Sequence, residues 1–353
     1  MVVRAMLAAQ LCIPRIGYNR PPTSLLHSRR VLCSAAASSQ LPPVLYYNDH
    51  YEVPLPPTHR FPMQKYREVR LALQRELEHR GVAHFQPSPL ATLDELTTTH
   101  TAEYVTRYVN GELTEKENRR VGFPWSIASV NRSLSSTGGT VAAARAVCTR
   151  PGLLRAGHLA GGTHHAFADR GEGFCVFNDI AVAANVALRD YPELISRVLI
   201  VDLDVHQGNG CAALFENDPR VFTFSAHCDG NYFSKKEDSD LDVELAEGMD
   251  DAAYLAAIEE HLPQLFVELQ PQLVFFQAGV DPHVADRFGK LAVSSAGLKR
   301  RNKLVYQLAA AHGSRLVVTM GGGYPKDLEL TSEPFRAVVQ SHMDVYRQLV
   351  AMA

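Results

Sequence analysis

No aspartate or glutamate occurs before Asp49, although that stretch carries Arg4, Arg15, Arg20, Arg29 and Arg30 among several serines and alanines. It also lacks the continuous apolar segment of a secretory signal, so its composition is that of an organellar transit peptide. The expectation is a transit peptide or disordered leader over residues 1–41, cleaved near Ser34 to Gln40, followed by one folded domain over residues 42–353. A chloroplast is favoured over a mitochondrion, with the nucleus or cytoplasm as the destination if the leader is not a transit peptide. No uninterrupted apolar run approaches the roughly 20 residues of a membrane-spanning helix. The six cysteines, at 12, 33, 148, 175, 211 and 228, include no CxxC pair, which excludes a disulfide framework or a thiolate zinc site. Neither charge sign is in large excess: 35 Lys and Arg against 38 Asp and Glu give −3, and loss of the five leader arginines makes this 30 − 38 = −8. An acidic body is a poor partner for nucleic-acid phosphates, and neither nucleic acid nor membrane is expected as a partner.

The chain also lacks internal repeats and a central Gly/Ser linker, so one domain is the simpler reading. After a proline-rich stretch, helical periodicity is predicted over Met63–His79 with Gly81 as its stop, over Ala102–Val109 closed by Asn110-Gly111, and over Ser126–Cys148. In the last of these, Gly138-Gly139 would permit a close neighbour. Continuous apolar runs at Val198–Val205, Val221–Ala226, Leu273–Ala278 and Leu316–Met320 predict strands covered on both faces, hence a parallel sheet. Helices are predicted between them, over Asp179–Arg189, Gly210–Glu216, Asp251–Leu269 and Ser295–Ala311. This alternation gives an α/β fold, a three-layer sandwich around a central parallel sheet.

Chemistry-bearing residues cluster at the carboxyl ends of the predicted strands, where such sheets bind ligands. Asp204 and His206 follow Val198–Val201, and Asp281 follows Val274–Ala278. Two carboxylates and an imidazole could hold a divalent metal with one position open, as in a catalytic rather than a structural site. Asp202, in an otherwise apolar strand, needs a partner: it could orient His164, line a monovalent cation site, do both, or pair with an arginine. His164-His165, after Gly161-Gly162-Thr163, supply a proton acceptor and donor. Tyr324, after Gly321-Gly322-Gly323, supplies a phenol for an oxyanion. Gly173 and Phe174 suggest one wall of an aliphatic slot, with Tyr232 or Phe233 opposite, and Asn178-Asp179 suggest a helix cap. Together these residues read as a metal-dependent hydrolase.

In order and spacing, Gly161-Gly-Thr-His-His165, Gly173-Phe-Cys175, Asn178-Asp179, Asp202-Leu-Asp-Val-His206, Gly208-Asn-Gly210, Ala278-Gly-Val-Asp281, Asp286-Arg-Phe-Gly289 and Gly321-Gly-Gly-Tyr324 resemble the zinc-dependent histone deacetylase family of the arginase/deacetylase superfamily, in its bacterial and plant class IV-like branch. The resemblance spans residues 44 to 350. It implies an αβα sandwich with about eight parallel strands, and removal of acetyl or other acyl groups from lysine Nε. It implies Zn²⁺, or Fe²⁺ or Co²⁺, on Asp204, His206 and Asp281, with His164 and His165 as acid and base, Asp202 behind His164, and Tyr324 on the carbonyl. It further implies a K⁺ site at Asp202, Asp204, His206, Ser225 and Ala226, and Arg60 as an internal-channel arginine. Asn209 stands where class I members place an aspartate behind the second histidine. The acidic substrate-gripping residue of class I has no counterpart in Glu117-Asn118-Arg119-Arg120.

The expected substrate is an acyl-lysine protein or peptide, with an acetylated polyamine as the alternative. Three further readings are an arginase-like ureohydrolase, a dinucleotide-binding protein built on Gly208-Asn-Gly210-Cys-Ala-Ala213, and an inactive acyl-lysine reader. The arginase reading wants aspartates bracketing a histidine, and Gln207 and Gly208 follow His206 instead. Asp202 and Asp204 would repel a pyrophosphate. A fluorescent reporter carrying residues 1–60 should accumulate in chloroplasts of transfected plant cells; diffuse cytoplasmic signal would remove the transit-peptide reading.

Overall fold

The computed structural model describes residues 41–352; the expected leader, apart from Leu41, lies outside them. Eight strands form one all-parallel sheet: β1 (Val44–Tyr47), β2 (His84–Pro87), β3 (Arg155–His158), β4 (Val198–Asp202), β5 (Val221–Cys228), β6 (Leu241–Leu245), β7 (Leu273–Gln277) and β8 (Arg315–Thr319). Their order is β2-β1-β3-β8-β7-β4-β5-β6. This is the α/β sandwich and strand number expected.

The central strands show why their sequences run apolar without alternation. Leu199, Val201, Val274, Phe276, Leu316 and Val318 enter one buried cluster, and Val198, Ile200, Leu273, Phe275 and Val317 enter the other. Side chains alternate between faces along a strand, and each face is covered, so every position must be apolar. The ten helices among the described residues supply those covers. They are α1 (Lys65–Leu77), α2 (Leu93–Leu96), α3 (Ala102–Asn110), α4 (Glu115–Val121), α5 (Ile127–Thr149), α6 (Asp179–Asp190), α7 (Asn209–Phe215), α8 (Asp251–Leu269), α9 (Ser295–Ala311) and α10 (Glu333–Ala351). None is long and apolar enough to cross a membrane.

Local chemistry sets several boundaries. Ser126 caps α5 by accepting from Ser129 N, and Asn178 caps α6 by accepting from Ala181 N, the role expected of it. Gly111 ends α3 in the left-handed conformation. The strand expected over Val198–Val205 stops at Asp202, where the chain bends. Asp204 and His206 therefore leave the sheet on the loop that follows β4.

Four contiguous strands, β3-β8-β7-β4, end at one rim. The loop after β3 carries His164 and His165, that after β8 carries Tyr324, that after β7 carries Asp281, and that after β4 carries Asp204 and His206. Strands remote in sequence thus present their carboxyl ends side by side.

Gly138 lies in α5 where a Cβ would overlap the backbone of Pro89, Leu90 and Ala91. Gly138→Ala should lower the urea midpoint: overpacking against backbone costs about 1–3 kcal/mol, more than the helix-propensity gain of at most about 1 kcal/mol. An unchanged or raised midpoint would show that α5 does not pack this tightly.

Candidate active site

Asp204, His206 and Asp281 are buried and offer ligand atoms that all lie within 4.8 Å of one another. His206 Nδ1 is 3.2 Å from Asp204 Oδ1 and 3.4 Å from Asp281 Oδ2. Burial, with Asp204 alongside, pushes Asp281 up to about 8. Burial alone would lower His206, but Asp204 and Asp281 hold it up at about 10. Asp281 Oδ2 is buried with no hydrogen-bond partner among the described residues. A dry cluster of two carboxylates and one imidazole, with an oxygen left without a donor, is suited to a divalent cation. These donors fit Zn²⁺, Fe²⁺ or Co²⁺.

The glycines around the cluster leave it room. A Cβ at Gly322 would overlap Asp281 Oδ2, and one at Gly279 would overlap Asp204 Oδ2. Gly322 N also donates to Asp204 Oδ2 at 2.9 Å, and Val205 N to Asp281 Oδ1 at 2.9 Å. The loops after β4, β7 and β8 are tied together by the carboxylates they carry.

His164 and His165 face this group with rings 4.0 Å apart. His164 Nδ1 meets Asp202 Oδ2 at 2.6 Å, so the carboxyl group has the imidazole partner that its burial requires. Burial would lower His164, yet Asp202 and then Asp204 raise it to about 9. His165 is held well below its ordinary value by burial, then by His164 and His206. Its Nδ1 meets Asn209 Oδ1 at 2.8 Å. Adjacent imidazoles are thus driven apart, one toward the cation and one toward the neutral ring. Ser225 pairs with Asp202 in the register of β4 and β5, and Ala226 follows it.

Tyr324 turns toward the same space. Its phenol is pushed well above its ordinary value by burial and by Asp204 and Asp281, so it keeps its proton and remains a donor. Asp286 accepts from Tyr324 N at 2.6 Å and from the amides of Phe288 and Gly289 at 2.8 and 2.9 Å.

A cavity of about 400 Å³ opens onto these groups, lined by His165, His206, Gly173, Phe174, Phe233 and Tyr324, with Arg119 and Arg120 at its edge. Phe233, 63% exposed, lines this cavity together with Phe174. Tyr232 does not line the cavity: its hydroxyl turns behind His165, 3.0 Å from Glu172 Oε1 and 3.3 Å from His165 Nδ1. Of the two aromatics expected for that wall, Phe233 lines the cavity and Tyr232 does not.

Arg60 is exposed, against the expectation of an internal-channel cation. The preceding His59 takes up the contact with the body, lying 2.9 Å from Gly122 O. The buried cation behind Tyr324 is Lys65, whose Nζ donates to Gly321 O at 3.3 Å and Gly323 O at 3.0 Å. Burial lowers Lys65 to about 8, against the pull of Asp281 and Asp286.

Two further supports escaped the sequence reading. Arg301 is fully buried and donates to Gly279 O at 2.6 Å, Leu203 O at 3.2 Å and Ala278 O at 3.4 Å, joining the loops that carry Asp204 and Asp281. Its signal was an arginine on the apolar stripe Leu298-Arg301-Val305 of α9. Asp179, beyond its place next to the helix cap, accepts from Gly162 N at 3.0 Å and Thr163 N at 2.6 Å. It fixes the turn that delivers both histidines. The Gly208-Asn-Gly210 segment serves the site, because a Cβ at Gly208 would overlap the Asp202 carboxylate and one at Gly210 would press on the carbonyls of His164 and Ala166.

Residues 59–340 match the model of the histone deacetylase domain. The chain is 46% identical over 286 residues to an uncharacterized protein of Picosynechococcus sp., covering 81% of this chain and 93% of that one. It is 30% identical over 247 residues to a probable deacetylase of Archaeoglobus fulgidus, covering 66% and 67%. It is also 33% identical over 189 residues to the chloroplastic histone deacetylase 14 of Arabidopsis thaliana, covering 50% of this chain and 44% of that protein.

Gly322→Ala should weaken metal binding about 10–100-fold, the range seen when groups that orient ligands are disturbed, with the circular dichroism spectrum retained. Chelator competition measures it. Equal affinity in the variant would mean that Asp281 Oδ2 is not a ligand.

Proposed function

This chain belongs to the histone deacetylase family, and we propose that it hydrolyses the amide of an Nε-acyl-lysine in a protein or peptide, using a divalent ion, Zn²⁺ first, held by Asp204, His206 and Asp281. The observation that carries this reading is the convergence of that buried metal-ligand group, a split histidine pair and a protonated phenol on one cavity. When bound, the ion supplies a Lewis acid for the acyl carbonyl and acidifies water.

The protein groups do the rest. The aliphatic lysine stem lies between Phe174 and Phe233. The Tyr324 hydroxyl donates to the carbonyl oxygen as negative charge develops there. His165 takes the proton of the attacking water on Nε2, since its Nδ1 faces Asn209. The C–N bond then breaks, and the histidine pair returns a proton to the lysine nitrogen, leaving a short carboxylic acid and a free amine. His164, held toward its cationic form by Asp202, opposes the negative charge in between. Asp202, Asp204, His206, Ser225 and Ala226 remain the proposed K⁺ site beneath.

The cavity edge favours acyl-lysine over the acetylpolyamine alternative. Arg119 is paired only with the exposed Glu115, and Arg120 makes no ion pair among the described residues. Glu117, the nearby acid, is engaged by Arg107 at 2.7 Å. A cationic rim repels a substrate carrying several ammonium groups, despite the acidic balance of the whole body. The reader alternative is weakened because each reacting position holds a competent side chain. A chloroplast destination and the leader remain part of the proposal, in keeping with the name of the Arabidopsis relative.

Metal-loaded protein should deacetylate an acetyl-lysine peptide at least about tenfold faster than N-acetylspermidine at low ionic strength, with the gap narrowing as salt screens the rim. Loss of turnover on chelation and in Tyr324→Phe completes the test. No deacylation of any peptide by the metal-loaded protein would overturn the reading; equal rates on the two substrates would overturn the preference.

A further inference from the structure

His164 and His165 are adjacent, yet what stands behind them differs in kind. Behind His164 is a carboxyl group, Asp202, which presents only acceptors. Behind His165 is an amide, Asn209, which can present either an acceptor or a donor. The difference matters, because a neutral imidazole has one N–H. If Asn209 Oδ1 faces Nδ1, the proton sits on Nδ1 and the lone pair on Nε2. If the amide is turned over, its NH₂ faces Nδ1 and the proton moves to Nε2.

Asn209 cannot decide this by itself; its far end does. Its Nδ2 lies 3.5 Å from Glu172 Oε1 and 3.4 Å from the carbonyl oxygen of Lys235. Turning the amide over would put Oδ1 against both oxygens and lose both hydrogen bonds. Glu172 is itself firmly held. It is 5% exposed, and it exchanges two backbone hydrogen bonds with Cys175, each 2.9 Å. Its neighbour Gly173 donates to Arg120 O at 3.1 Å, and Phe174 to Val121 O at 2.7 Å. The Tyr232 hydroxyl donates to the same Oε1 at 3.0 Å. That explains why Tyr232 leaves the slot wall to Phe233: its hydroxyl belongs to this network.

We propose that Glu172 is a positioning residue for His165. By accepting from Asn209 and Tyr232 it holds the Asn209 carbonyl toward Nδ1, so that the ring keeps its proton on Nδ1 and turns the Nε2 lone pair to the cavity. The kinetic arm of this proposal rests on the reading of His165 as the proton acceptor of a lysine deacylase; the tautomer itself does not.

The test compares the full-length protein with Glu172→Met, Glu172→Gln and the double variant Glu172→Met/Asn209→Asp. Nitrogen-15 NMR of labelled histidines reads the His165 tautomer directly. The proposal expects the Nδ1–H form in the wild type and in Glu172→Gln, which keeps an acceptor oxygen. It expects a tautomer mixture in Glu172→Met, and recovery of the Nδ1–H form in the double variant, because an aspartate has no donor end to turn inward. On an acetyl-lysine peptide, Glu172→Met should lose about tenfold in kcat with little change in KM, a fraction of what a general base contributes, and the double variant should regain it. A His165 tautomer unchanged in Glu172→Met would overturn the proposal even if activity fell, since the loss would then be structural. If the wild type cleaves no peptide, the deacylase reading fails while the tautomer measurement still decides the role of Glu172.

Discussion

Asp202, Asp204 and Asp281 bring three carboxyl groups, each at most 2% exposed, to the ends of two adjacent central strands. Burying isolated carboxylates is so unfavourable that the surroundings must answer them with positive charge and donors. His164 and His206 lie against them, and Lys65 stands behind with no carboxylate partner among the described residues. Backbone amides of Val205, His206 and Gly322 complete the donors. The sheet places these strand ends side by side, and the electrostatic demand they create is what the proposed metal would satisfy.

The supports around that cluster act on backbone rather than on the reacting atoms. Arg301 gathers carbonyls from the loops after β4 and β7, Lys65 gathers those flanking Gly322, Asp179 holds the turn before the histidines, and Asp286 holds the amide of Tyr324. Each uses a buried charge or carboxyl group to satisfy several backbone groups that a tight glycine-rich loop leaves without partners. Glycine is required at 322 because any side chain there would occupy the place of the Asp281 carboxyl oxygen.

Strands β4, β5, β7 and β8 were legible as unbroken apolar runs because both sheet faces are covered at those positions. Strands β2 and β6 were not: His84-Phe-Gln-Pro87 and Leu241-Asp-Val-Glu-Leu245 are edge strands with exposed positions, so their composition is mixed. Strand β3, Arg155-Ala-Gly-His158, is fully buried yet carries no apolar run. Its His158 is satisfied by Ser88 and Thr140, and its Gly157 leaves space for Leu45 and Tyr346, so neighbours rather than its own side chains make it a strand. The helices expected near Asp251–Leu269 and Ser295–Ala311 are present, and the structure shows Asp250 and Ser294 capping their first turns.

The sequence by itself determined which chemical groups are present and in what order: two aspartates and a histidine after apolar strands, a histidine pair after a glycine turn, a tyrosine after three glycines. Strand ends point one way in a parallel sheet, so those groups had to reach one rim. Only the tertiary structure decided which neighbour each side chain met. It buried Lys65 behind Tyr324 and left Arg60 exposed, lined the cavity with Phe233 rather than Tyr232, and turned the Asn209 carbonyl toward His165. In each case the choice lay between residues a few positions apart or two faces of one amide, and hydrogen bonds from residues far away in the chain settled it, which no local pattern encodes.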